Sequence, residues 1–159
     1  MKDRKYTGPH YFSMPAWISC APFEQLLAME IVRAESGEAV LKMPFLKQFA
    51  QGAGLMHGGA LVSLADTAVV MAIKSILAPE THFGTISMES RYHHPVKKGI
   101  LTAKAVVTES QERTLKGACD VIDEVDRKVM TFTSVFKVAR DAAIRGISFE
   151  KTDAAEKEE

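Results

Sequence analysis

Between His57 and Lys74 the chain runs through sixteen residues that carry one charge, Asp66. A carboxylate set in such an apolar stretch costs free energy unless it is paired, hydrogen-bonded or used. Two idle places are open to it, a gap in the packing that reaches water or a bond to Ser63 or Thr67 nearby. Apolar residues on every side disfavour an idle, solvent-facing place. The stretch opens with His57-Gly58-Gly59. The first amides of a helix lack partners within it and carry the positive end of its dipole, so they attract developing negative charge. Glycine leaves those amides open to a ligand, and it also suits a tight turn with close helix packing. The residue types thus point to a carboxylate held for use at Asp66 and to stabilisation of developing negative charge by the helix-start amides. Asp66 stands eight residues beyond Gly58, about 12 Å along a helix axis. One chain does not easily bring both to a single reacting atom, but two chains related by a twofold can.

Other residues invite weaker readings. Residues 91–104 hold Arg91, Lys97, Lys98 and Lys104 with no acid among them. They form either a cationic lip for a phosphorylated ligand or the ordinary solvated chemistry of a turn around Pro95 and Gly99. His93 and His94 are adjacent, so a strand would point them to opposite faces, and they do not easily share an ion. Cys20 and Cys119 show no ligand spacing. No metal site is expected. No G-x-S-x-G elbow is present to suggest a serine nucleophile. Met14, Met29, Met43, Met56, Met71 and Met88 read as gap-filling core, with some able to line a flexible tunnel.

The elements that must hold these residues follow from periodicity. From Gly58 to Leu77 there is no proline, and Leu61, Ala65, Ala68, Ala72 and Ser75 recur on one helix face. The other faces are apolar too, which predicts a long helix buried on all sides. Strands are expected near 29–35 and 38–44, joined by the turn Glu35-Ser36-Gly37-Glu38, and again at 84–92, 101–109, 114–123 and 128–139. In the first of the later four, Ile86, Met88, Ser90 and Tyr92 alternate against Thr85, Ser87, Glu89 and Arg91. A helical turn at 23–27 follows Pro22. The fold class is α+β, an antiparallel sheet of about six strands around one long central helix. One helix cannot cover both faces of such a sheet, so a homo-oligomer is expected. Residues 1–21 read as an irregular arm, 22–139 as a single domain, and 140–159 as a charged tail.

Composition narrows the class. With 20 basic and 20 acidic residues the formal net charge is zero, which argues against general binding to nucleic acid or membrane surfaces. Two cysteines fit a reducing compartment, and the longest apolar run is far short of a membrane span, so a cytoplasmic protein is expected.

The stretch from Gln51 to Ala68, with His57-Gly58-Gly59 followed by Leu64-Ala65-Asp66, resembles the signature of hotdog-fold acyl-CoA thioesterases. It is most similar to their phenylacetate-degradation, PaaI-like branch. The resemblance extends from about Pro22 to Val138, with Tyr92, Pro95 and Gly99 where that family tends to have them. It implies a hotdog fold and hydrolysis of an acyl-CoA thioester. It implies that Asp66 is the catalytic nucleophile or general base and that the Gly58 amide polarises the thioester carbonyl. Gln51, in a position usually held by Asn or Gln, would orient water or carbonyl, His57 would shape the loop, and Thr85 would support the attacking water. Gly59, Arg91, Lys97 and Lys98 are expected to touch substrate. Coenzyme A would be part of that substrate, so no separate cofactor is expected. The expected assembly is a homodimer or a dimer of dimers. Two rivals are a non-catalytic module binding acyl-CoA or acyl-carrier protein, and a hotdog dehydratase. Pure binding does not need the carboxylate, and the His–acid motif of a dehydratase is not found.

Overall fold

The computed structural model describes residues 10–140. Residues 141–159 of the tail expected at 140–159 and the first nine residues of the arm lie outside the described residues. A short helix α1 (Pro22–Leu26) leads into strands β1 (Glu30–Glu35) and β2 (Glu38–Pro44). A 3₁₀ turn (Lys47–Phe49) precedes the long helix α2 (Gly58–Lys74). Strands β3 (Phe83–Tyr92), β4 (Ile100–Gln111), β5 (Thr114–Ile122) and β6 (Lys128–Val138) complete the order. All six strands form one sheet, β1-β2-β4-β5-β6-β3, and each neighbouring pair is antiparallel. This is the α+β architecture that the hydrophobic pattern predicts.

Alternation explains the sheet. Leu41 and Met43 of β2, Leu101 and Ala103 of β4, Val121 of β5, and Phe132 and Phe136 of β6 are all buried on the side that meets α2. Burying side chains of this size is worth about 1.5–3 kcal/mol each, which is ample reason for one register to win. From the helix, Leu64, Ala65, Ala68, Val69, Met71, Ala72 and Ile73 fill the space between. The alanines permit a close approach. So does Gly117 on β5, where a Cβ would collide with the Val69 side chain. The β1–β2 turn places Ser36 and Gly37 at positive φ, 51° and 80°, as a tight hairpin requires. Gly37 N–H donates to Ser75 Oγ at 2.8 Å and so ties that hairpin to the end of α2.

Two features depart from the sequence reading. First, α2 stops at Lys74, with Ser75 as its C-cap, and is not buried on all sides. A sheet covers one side of a helix. Gly59, Ser63, Asp66, Val70 and Lys74, spaced by three or four residues, make a stripe that none of the buried positions joins. Second, β3 does not keep a strict alternation. A register shift lies between Thr85 and Ser87, so Thr85 pairs with Phe136 while Met88 pairs with Ser134. The extra residue, Ile86, bulges, and Thr85 joins the helix-facing row with Met88, Ser90 and Tyr92.

Strand β3 is also a sheet edge. Ile86 is 57% exposed, Met88 47% and Tyr92 50%. Among the described residues, no helix is long and apolar enough to cross a membrane.

Candidate active site

The loop before α2 builds the first half of the site. His57 N–H donates to Phe49 O at 2.8 Å, and Met56 N–H donates to Val96 O at 3.0 Å. These bonds pin the helix start between the 3₁₀ turn and the segment after β3. His57 is the N-cap, and its Nδ1 accepts the Gly59 N–H at 2.9 Å. Ala60 and Leu61 both donate to His57 O. That leaves the Gly58 N–H as the first-turn amide without a partner among the described residues. The two glycines therefore differ. The Gly59 amide is occupied by the cap, whereas the Gly58 amide is open to a ligand.

Gly58 has a second constraint. Tyr92, at the end of β3, donates its hydroxyl to Gly58 O at 3.1 Å. A Cβ on Gly58 would stand 3.0 Å from that hydroxyl oxygen and 3.2 Å from the ring. Close approach of Tyr92, and not an unusual φ, favours glycine here. Beside Gly58 is a cavity of about 510 Å³, lined among others by Gln51, Leu55, Leu61, Tyr92, His93 and His94. The Gln51 side-chain oxygen accepts from Ala53 N–H within its own loop, which leaves the Gln51 NH₂ group as the donor on offer. Tyr92 lines this cavity; sequence reasoning gave it a strand position and a place in the family resemblance but no role. Its signal was a tyrosine at a strand end, which many strands have.

Asp66 builds the second half, and it does not line that cavity. It lies midway along the open stripe of α2, half-buried. Ser63 does not bind it, since the Ser63 hydroxyl donates to Gly59 O at 2.8 Å. Thr85 Oγ1 reaches Asp66 Oδ1 at 3.4 Å, a long hydrogen bond that the bulge at Ile86 makes geometrically possible. Burial pushes the Asp66 carboxyl above its ordinary value, the Thr85 hydroxyl partly offsets this, and the negative charge of Glu24 adds to it. A carboxylate whose proton affinity is raised by desolvation is a candidate base or nucleophile.

Of the residues expected at the site, the fold brings Gln51, His57, Gly58 and Gly59 together at one end of α2, and Asp66 with Thr85 two turns away. The basic residues separate. Arg91 lies on the outer face of β3 beside Glu89, His93 and Thr131. Lys97 and Lys98 are exposed in the turn that follows Val96, facing Asp123, Glu124 and Arg127 of the β5–β6 turn. His93 binds Thr131 Oγ1 at 2.9 Å, and His94 binds Lys128 O at 3.0 Å.

Comparison with known proteins accords with this fold. Residues 53–130 match the thioesterase superfamily. A 1,4-dihydroxy-2-naphthoyl-CoA hydrolase of Listeria monocytogenes is 31% identical over 107 residues, which is 65% of this chain and 85% of the relative. A conserved protein of Pseudomonas aeruginosa superposes with a TM-score of 0.74 at 24% identity, covering 77% of this chain and 97% of that one. A point mutant of the phenylacetic acid degradation protein PaaI of Thermus thermophilus gives 0.68 at 25% identity, covering 74% and 98%.

Proposed function

The chain belongs to the thioesterase superfamily, and from that premise we propose that it hydrolyses an acyl-CoA thioester at a centre shared between two copies. The single observation that carries this reading is the division of the site. The open Gly58 amide and the lone acid of α2 lie eight residues apart, about 12 Å along the axis, in one chain. A second copy paired along the exposed edge of β3 supplies the missing half. The bare apolar side chains of that edge, Ile86, Met88 and Tyr92, support such pairing.

In this scheme Asp66 takes a proton from water as the water oxygen adds to the thioester carbonyl carbon. The carbonyl oxygen becomes an oxyanion and accepts from Gly58 N–H of the other copy. One such preorganised donor is worth about 3–4 kcal/mol. Collapse of the tetrahedral intermediate breaks the C–S bond, and the departing thiolate takes the proton back from Asp66. Direct attack by the Asp66 carboxylate, through a mixed anhydride, uses the same groups. Thr85 holds Asp66 or the water, and the Gln51 amide orients the carbonyl. His57 acts through the helix start, as its cap. Lys97 and Lys98 follow Val96 out of the cavity and offer charge to the coenzyme phosphates. Arg91 faces outward and serves only a ligand that reaches over the sheet edge. No group outside protein and substrate is required.

The test is thiol release from a panel of short, long and aromatic acyl-CoAs. Asp66→Asn is expected to lose activity by about 10²–10⁴-fold while still binding substrate. Tight acyl-CoA binding without turnover by the wild type would instead identify a binding module.

A further inference from the structure

Two successive glycines open α2. Glycine reaches more of φ/ψ space than any other residue, so such a dipeptide swivels unless something holds it. That freedom conflicts with the role of the Gly58 amide, because a charge-stabilising donor works by being aimed before the charge develops. The peptide that joins the two glycines is held from both sides. Its N–H, on Gly59, donates to His57 Nδ1 at 2.9 Å, and its carbonyl, on Gly58, accepts from the Tyr92 hydroxyl at 3.1 Å. These bonds form a chain in which each polarises the next. The Gly58 N–H is left over, with no partner among the described residues.

Tyr92 is itself firmly anchored, 34 residues along the chain from the glycine it holds. It ends β3 in register with Met130 of β6. Beside it His93 N–H donates to Val129 O at 2.8 Å, the His93 ring binds Thr131 Oγ1 at 2.9 Å, and the His94 ring binds Lys128 O at 3.0 Å. A tyrosine has two side-chain torsions, so little freedom is lost in placing its hydroxyl. The ring passes so close that a Cβ on Gly58 would stand 3.2 Å from it, and both residues line the same cavity. We propose that Tyr92 is a positioning residue of the active centre: through its hydroxyl on Gly58 O it locks the Gly58–Gly59 peptide and so aims the Gly58 amide at the thioester carbonyl. The inference rests on the role given to that amide above. Tyr92 takes no proton and forms no bond to the reacting atoms; it acts through Gly58.

The experiment compares the wild type with Tyr92→Phe, which keeps the ring and removes the hydroxyl. It reads the backbone nitrogen-15 order parameters of Gly58 and Gly59 in the full chain, beside kcat, KM and the melting temperature. In the wild type both amides are expected at about 0.85, the value of rigid backbone, and in Tyr92→Phe they should fall toward about 0.6. On one hydrolysed acyl-CoA kcat should drop by about tenfold with KM unchanged, since a misaimed donor is missed chiefly in the transition state. Order parameters that do not change overturn the proposal. So does a loss of kcat that merely tracks a fall in melting temperature, the mark of a structural role, or a raised KM at unchanged kcat. If Tyr92→Phe fails to fold, Tyr92→Met, which suits a half-exposed apolar place and has no donor, is held to the same outcomes. Should no acyl-CoA be hydrolysed, the order parameters still decide whether Tyr92 locks the turn, and the loss falls on the proposed activity alone.

Discussion

At the scale of single residues the site is a set of polar groups whose partners decide their use. His57 commits its ring nitrogen to the Gly59 amide, so the neighbouring Gly58 amide is the one left for a ligand. Loss of an N-cap costs about 1 kcal/mol. His57→Ala should therefore lower the unfolding free energy by that amount, read from denaturant titration, and His57→Asn, which can cap, should restore most of it. Asp66 is the opposite case. Its folded-state value is raised by burial, so the folded protein binds the proton more tightly than the unfolded chain. Stability must then decline as pH rises from the unfolded value of about 4 through the raised folded one, and the loss persists above it. Asp66→Asn is expected to melt above the wild type at pH 7, with the gap closing at pH 3, as scanning calorimetry would record. A variant that is inactive yet more stable is the mark of an acid kept for chemistry.

At the scale of elements, close approach between α2 and the sheet holds the two halves of the site in place. Val69 sits in the space that the missing side chain of Gly117 leaves on β5. Gly117→Ala forces the helix away and should cost about 1–3 kcal/mol by overpacking, measured as a fall in unfolding free energy. Because Val69 is one turn from Asp66, activity should fall further than stability alone explains. The bulge at Ile86 matters in the same way. It turns Thr85 from the outer row of β3 to the row that faces Asp66. The Trp17–Lys74 clasp fixes the arm against the far end of the same helix.

At the scale of the whole molecule, the half-buried stripe of α2 and the exposed edge of β3 are the surfaces on which the proposed second copy would pack. If each centre draws Asp66 from one copy and Gly58 from the other, inactive variants should complement. Gly58→Val, whose side chain would strike Tyr92, and Asp66→Asn are each expected to be inactive alone. Reassembled in equal amounts they should recover about a quarter of wild-type activity, since half the dimers are mixed and each mixed dimer has one intact centre. Activity that stays at the background of the parents would place both groups in one chain's centre, against the shared arrangement.

How much was legible in the sequence differs along the chain. The strands, the long helix and its polar start could be read because a period of two or 3.6 is a local property of side-chain order. Asp66 could be singled out because a lone charge in an apolar run stands out without any knowledge of the fold. The resemblance carried by Gln51 to Ala68 named the chemistry for the same reason, since its motif is contiguous. What the sequence could not disclose was every relation that depends on where distant segments meet. Strict alternation set Thr85 with Glu89 and Arg91, and only the sheet register, through one extra residue, set it opposite Asp66. The tyrosine against Gly58 likewise joins residues that share no local pattern. Local order is written in neighbours along the chain, whereas exposure, pairing and charge environment are set by neighbours in space, and those exist only once the helix lies on the sheet.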